Sequence, residues 1–284
     1  MTSNERIRKI LDFQRPDRIG IHDAFLDTTI ERWKSDGFPR DVTPEEYFGF
    51  DLDIINIEDV LADNIPGGQK GARFNILAFS EPFQKLCDIM GREYALRRLA
   101  LYPKDICERL ANLAYSLLDS IEKVFKKDIS FDGAWVWGDV AYQKGLFFSP
   151  EWYRKNLLPL HRKIFRFVSS RGLAVFFHSD GNISDIIPDL LDSGVRAVHP
   201  LEENCGMDMD RLFALYKNDM VFMGHMDLEK IIRGGDFSGA LTGKIKYIKD
   251  RCYYIYCSDY PIMPNITRQD YEKALEAVKA AGTY

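Results

Sequence analysis

Much of what this chain could be is excluded by what it lacks. No apolar run among its 284 residues approaches the roughly 20 that a membrane span needs. The opening Met-Thr-Ser-Asn-Glu-Arg has no apolar segment of the kind a signal peptide carries, so a cytoplasmic protein is expected. Positive charge is not in excess: the net charge of −5 gives no reason to expect nucleic acid or an anionic membrane surface as partner. The five cysteines (Cys87, Cys107, Cys205, Cys252 and Cys257) are odd in number and irregularly spaced, with no Cys-x-x-Cys pair. They fit reduced thiols better than a disulfide framework or a zinc ribbon. No strand is followed by Gly-x-Gly-x-x-Gly and there is no phosphate loop, which weakens nucleotide readings. Internal repeats and low-complexity tracts are absent as well. A chain with 46% hydrophobic and 29% charged residues can bury a large core, and its length suits one α/β barrel, which commonly runs about 250 residues.

What is present is a series of short apolar runs separated mostly by helical patterns. Ala174–Asn182 reads most clearly: four apolar residues turn polar at His178, Ser179 and Asp180, and Gly181-Asn182 supplies a turn. Such a run is a strand buried on both faces. Alternation then places His178 and Asp180 on one side, two residues apart. Similar runs predict strands at Ile19–Asp23, Leu52–Ile57, Phe74–Phe79, Ala134–Trp137, Ala197–Leu201, Val221–Gly224 and Tyr253–Cys257. Helices are expected at Thr2–Phe13, Pro82–Gly91, from Pro103 onward, from Pro150 to Ser170 with a bend at Pro159, at Met209–Tyr216, around Ala240–Lys249 and at Arg268–Ala281. The helix after Pro103 carries one apolar stripe of Ile106, Leu110, Leu113, Leu117, Ile121 and Val124, read as core packing. Asp63–Arg73 reads as a loop, either a solvated connection or an active-site lid. Eight strands alternating with helices favour a closed (β/α)₈ barrel over a doubly wound sheet.

Parallel barrels keep their active sites at the carboxyl ends of the strands. Collected there are His22 and Asp23, Glu58 and Asp59, Asp139 and Gln143, His178 and Asp180, Glu202, His225 and Asp227, and Asp259 and Tyr260. Three of the five histidines are in this set; His161 is expected on a helix surface and His199 as a satisfied core residue. Such a ring can hold zinc through neutral imidazole and carboxylates. Alternatively, clustered carboxylates such as Asp59 and Asp139 can act as general acids. The strand exits carry no arginine, which argues against a substrate bearing several carboxylates.

Arg6–Ile19, Gly138-Asp139 with Gln143-Lys144-Gly145 and Ser149-Pro150-Glu151, His178–Asn182 and Ser258–Tyr271 together resemble the uroporphyrinogen decarboxylase superfamily. That superfamily includes corrinoid-linked methyltransferases. The resemblance runs nearly end to end and implies a single barrel domain over residues 1–284. In the decarboxylase branch an Arg-rich segment follows the first strand. Here the segment is Ile21-His22-Asp23-Ala24-Phe25, the branch's essential Asp matches Asp59, and its last-loop His is Tyr260. The methyltransferase branch binds zinc through a His-x-Cys pair on the fifth strand and a Cys after the eighth. His178 matches the His, while Asp180 and Tyr260 replace the two Cys. The resemblance therefore implies a harder zinc site of His178, Asp180 and one of Glu202 or His225, suited to demethylating an ether or similar donor. The expected activity is methyl transfer between a small substrate and a cobalamin carried by a separate corrinoid protein, since the chain has no Asp-x-His-x-x-Gly pattern of its own. His178 is then ligand or acid, with Asp139 catalytic and His22, Gln143, Glu202 and Asp227 on the substrate. The alternatives are a metal-free carboxy-lyase using Asp59 and Tyr260, and a non-catalytic ligand-binding barrel.

Overall fold

The computed structural model describes residues 1–64 and 73–284; most of the Asp63–Arg73 segment, expected as loop or lid, lies outside them. Among the described residues, eight parallel strands form one sheet: β1 (Gly20–Ile21), β2 (Leu52–Asn56), β3 (Phe74–Ser80), β4 (Gly133–Trp137), β5 (Ala174–His178), β6 (Val195–His199), β7 (Val221–Met223) and β8 (Tyr254–Tyr256). From β2 onward each strand neighbours its successor, and β8 pairs with β1. The remaining seam, between β1 and β2, is held by side chain as well as backbone. The Asp51 N–H donates to the Ile21 carbonyl at 2.8 Å. The buried Asp51 carboxylate accepts from the Ile21 N–H at 2.8 Å, from Arg18 at 2.6 Å and from Arg6 at 2.7 Å. The result is the (β/α)₈ barrel that the strand count anticipates.

Two apolar layers follow from the alternation of side chains along each strand. Residues facing outward pack against the helices in the larger core, with Leu77, Val136, Phe177 and Val198 among them. Residues facing inward fill the barrel with Leu52, Ile76, Trp135, Phe176, Ala197, Val221 and Ile255. The helix Ser3–Leu11 closes the amino-terminal end, adding Ile7, Ile10 and Leu11 to that inner layer. Its first turn is fixed by a capping box between Thr2 and Glu5. Gly20 lets it approach, because a Cβ there would lie 2.8 Å from Ile7 Cδ1. With this end plugged, the interior opens only toward the carboxyl ends of the strands.

Among the departures of the helices from expectation, two concern the long helical segments. Pro150–Trp152 and Leu158–Ser169 are joined by a wide π-helical turn, Tyr153–Leu157. It ends just before Pro159, whose missing N–H cannot serve an α-helical turn. The helix Arg92–Leu101 is not anticipated by the sequence pattern; only Ala95 is fully buried on it, so no apolar stripe announces it.

Candidate active site

The open end of the barrel holds a cavity of ≈ 370 Å³. It is bounded by His22 and Ala24 after β1, Ile54 of β2, Trp135 and Trp137 of β4, His178 and Asp180 from β5, His199 of β6, and Cys257 to Pro261 after β8. Period-two alternation explains the set, since Trp137 follows Trp135 inward, His178 follows Phe176, and His199 follows Ala197.

His199 is therefore no isolated core residue. Parallel pairing puts it opposite His178 in register. Both rings point inward, and their Nδ1 atoms meet at 2.7 Å. The hydrogen-bond network assigns their protons. His199 Nε2 lies 3.3 Å from the Ser258 carbonyl, an acceptor only, so Nε2 carries the hydrogen. A neutral His199 then has a bare Nδ1 that accepts from His178 Nδ1–H, which leaves His178 Nε2 with its lone pair. Burial favours the neutral forms: it lowers His178 and His22 each to about 4 and His199 well below the ordinary imidazole value.

The bare Nε2 of His178 faces Asp180 Oδ1 at 3.7 Å. Asp139 completes the group: its Oδ1 accepts from the Asp180 N–H at 3.1 Å and its Oδ2 from Arg92 at 2.8 Å. One donor atom from each of Asp139, His178 and Asp180 lies within 4.8 Å of the others. Burial, followed by the charges of Asp139 and Glu202, pushes the Asp180 carboxyl up to about 7. Two lone-pair groups face one another with a proton or a cation wanted between them. Imidazole and carboxylate oxygens are a donor set that suits zinc or another borderline-to-hard divalent ion.

Glu202 works from behind. It is buried, accepts from the Gly181 N–H at 2.5 Å, and accepts a second hydrogen bond from the Tyr260 hydroxyl. With both interactions it fixes the turn that presents Asp180, so its carboxylate is committed. Buried between His22 and Ala24, Asp23 accepts from the Ser258 N–H at 2.7 Å and from Tyr271 at 2.9 Å. Burial pushes it up to about 6. Asp259 accepts from the Met226 N–H at 3.0 Å and is pushed up to about 7, again chiefly by burial.

Of the residues picked from the sequence, the structure gathers Asp139, His178 and Asp180, with His22 and Tyr260 on the same cavity and Glu202 behind it. The third member beside His178 and Asp180 is Asp139, where Glu202 or His225 was expected. His225 directs Nδ1 to the Leu201 carbonyl at 2.9 Å and is not on the cavity wall. Asp59, a general-acid candidate on condition of burial beside other carboxylates, is exposed on the short helix Ile57–Leu61. Gln143 is exposed and donates to the Asn204 carbonyl at 3.0 Å. Asp227 caps the helix Leu228–Arg233 by accepting from the Lys230 N–H at 3.0 Å.

Two further readings are corrected. His161 is fully buried, with Nε2 at 3.0 Å from Glu81 and Nδ1 at 3.1 Å from the Tyr153 hydroxyl. Its spacing to Ile164, Phe165 and Val168, all buried on the same helix, was the available signal. Arginine does reach the strand exits, because Arg92 arrives from the unanticipated helix to pair with Asp139.

Comparison with known proteins bears on the fold. No family model matches the chain, and no curated protein matches it. A solved methyltransferase from Methanosarcina mazei superposes with a TM-score of 0.72 at 14% identity, covering 99% of this chain and 98% of that one. A B12-independent methionine synthase from Shewanella sp. W3-18-1, in complex with selenomethionine, gives a TM-score of 0.48 at 12% identity, over 80% of this chain and 64% of that one. A chitinase from Chromobacterium violaceum gives 0.47 at 9% identity, over 92% and 98%. At these identities the likeness is one of fold.

Proposed function

We propose that this chain is a metal-assisted methyltransferase of the uroporphyrinogen decarboxylase superfamily type, moving a methyl group between a small substrate and a cobalamin carried by a separate protein. The observation that carries the reading is the convergence of the bare His178 Nε2 with the carboxylates of Asp180 and Asp139. A divalent ion held by Asp139, His178 and Asp180 would polarise the heteroatom that carries the methyl group. That heteroatom keeps the electron pair of the bond that breaks as the methyl group leaves. Asp139 orients Asp180 through its backbone N–H, and Arg92 orients Asp139. Trp135 and Trp137 give the cavity an apolar wall that favours a methylated group over water. The extended superposition on a solved methyltransferase agrees with this reading.

The substrate is neutral or cationic. Among the described residues no Lys or Arg lines the cavity, whereas Asp180 and Asp259 do. A metal-free carboxy-lyase working through Asp59 and Tyr260 draws less support, since Asp59 stands outside the cavity lining. Elemental analysis of protein purified without chelators, beside His178→Ala, tests the metal. Near-stoichiometric divalent metal that the variant loses is the expected result. The absorbance of reduced free cobalamin mixed with protein and methylated ethers or onium compounds tests the transfer. A metal-free wild type that binds added Zn²⁺ more weakly than about 100 µM, roughly −5.5 kcal/mol, would overturn the reading.

A further inference from the structure

We infer that His199 is a positioning residue whose hydrogen bond to the Ser258 carbonyl fixes the tautomer of His178, so that His178 presents a bare Nε2 to Asp180 and Asp139. The inference deepens the proposed site and rests on its geometry; it needs neither turnover nor bound metal for its test.

The chain of bonds runs across three strands. Ser258 follows β8, His199 ends β6 and His178 ends β5. The Ser258 carbonyl can only accept, and it lies 3.3 Å from His199 Nε2. The two Nδ1 atoms at 2.7 Å require one donor and one acceptor. If His199 Nδ1 were the donor in a neutral ring, its Nε2 lone pair would face the carbonyl oxygen, two acceptors in contact. A doubly protonated His199 would put a cation in a largely buried place with no carboxylate bonded to it among the described residues, which burial opposes. The arrangement without conflict is His199 Nε2–H with His178 Nδ1–H. For an imidazole in water the Nδ1–H form is the minor one, so the protein has to impose it. Metal-binding histidines in general have their second nitrogen hydrogen-bonded in this manner, usually to a carboxylate or carbonyl. Here the acceptor is another imidazole, itself set by a backbone carbonyl. The ring planes lie 25° apart with centroids 5.0 Å apart, and Trp135 packs on both rings, so neither ring is free to flip without breaking the bond.

The experiment is long-range ¹H–¹⁵N correlation on metal-stripped, ¹⁵N-histidine-labelled protein at neutral pH. Wild type, His199→Phe and His199→Asn are compared, with the ring signals of buried His161 as the control for an intact fold. In wild type, His178 is expected as Nδ1–H and His199 as Nε2–H. The carboxamide oxygen introduced by His199→Asn can still accept from His178 Nδ1–H, so that variant keeps the His178 tautomer. His199→Phe releases it toward the Nε2–H form. Zn²⁺ affinity should fall about 10- to 100-fold in His199→Phe and stay within about threefold in His199→Asn. A wild-type spectrum with His178 as Nε2–H would overturn the inference, as would His199→Phe leaving the tautomer unchanged. If His199→Phe does not fold, the wild-type spectrum alone decides. Correct tautomers in a protein that binds no metal would instead sink the metal reading and leave this inference standing.

Discussion

Gly181→Ala is the sharpest probe of how the turn after β5 presents Asp180. Gly181 has φ +86°, and a Cβ there would lie 2.6 Å from Tyr142 N and 2.7 Å from both the Ala141 carbonyl carbon and Tyr142 O. These are backbone atoms of the short hairpin formed by Ala141–Tyr142 and Gly145–Leu146, so they cannot swing aside as a side chain would. Forcing a left-handed conformation on alanine costs about 1–2 kcal/mol, and overpacking adds about 1–3 kcal/mol. The sum, roughly 2–5 kcal/mol, corresponds to about 4–10 °C in Tm at about 2 °C per kcal/mol for a chain of this size. Relief of the clash must move the turn away from the hairpin. That strains the Gly181 N–H bond to Glu202 and the 3.0 Å bond from Asn182 N–H to the Tyr142 carbonyl. Asp180 moves with it, so Zn²⁺ affinity should drop at least about tenfold. Gly172→Ala serves as comparison, because Gly172 has φ +83° and nothing within 4 Å of its Cβ. It should lose only about 2–4 °C with affinity unchanged. Thermal melts and Zn²⁺ titration of both variants decide the matter. A Gly181→Ala protein that melts and binds like Gly172→Ala would refute the reasoning.

Three other outcomes follow from the same structure. Asp23 has its carboxyl raised to about 6, so the folded state holds the proton more tightly than the unfolded chain, and the stability this contributes is lost as pH rises from about 4 to 6. Asp23→Asn keeps partners for Ser258 N–H and Tyr271, so it should raise stability by up to about 3 kcal/mol at pH 7, at about 1.4 kcal/mol per pH unit, and little at pH 4; melts at the two pH values that differ equally from wild type would contradict this. His161→Phe leaves Glu81 short of one donor and the Tyr153 hydroxyl buried without a partner, costing roughly 2–4 kcal/mol, or about 4–8 °C in Tm; an unchanged melting point would count against it. A tetracarboxylate porphyrin should give no saturable quenching of Trp135 and Trp137 fluorescence below about 100 µM, for want of bidentate guanidinium partners; tight saturation would return weight to the decarboxylase reading.

The strands are legible because parallel strands buried on both faces must be short apolar runs, and Phe74–Ser80 or Ala174–His178 cannot be much else. The turn to polar residues at their ends marks His178 and Asp180 for the same reason: only that end of a plugged barrel meets solvent. Legibility stops where the answer depends on phase and register. His199 reads as a satisfied core residue because it sits inside an apolar strand, although counting back two residues to inward-facing Ala197 aims it into the cavity. Asp59 misleads in the opposite sense. It follows β2 by three residues, as Asp139 follows β4 by two, but the chain enters the helix Ile57–Leu61 at once and leaves Asp59 on its exposed side.

Proximity to a strand end thus names candidates, and rotation about the strand or helix axis selects among them. Asp139 is selected by a bond that no spacing encodes, from its carboxylate to the N–H of Asp180 one strand over. That bond is one of a set that holds the turn after β5. With Asp at 180 and Tyr at 260, the Tyr260 hydroxyl binds Glu202, Glu202 binds the Gly181 N–H, and Asp139 binds the Asp180 N–H. The turn is therefore gripped on both sides of Asp180 by carboxylates. Arg92 is the cationic partner of Asp139. The side of Asp180 that faces His178 has no such partner among the described residues, and that is where a cation would be bound most strongly.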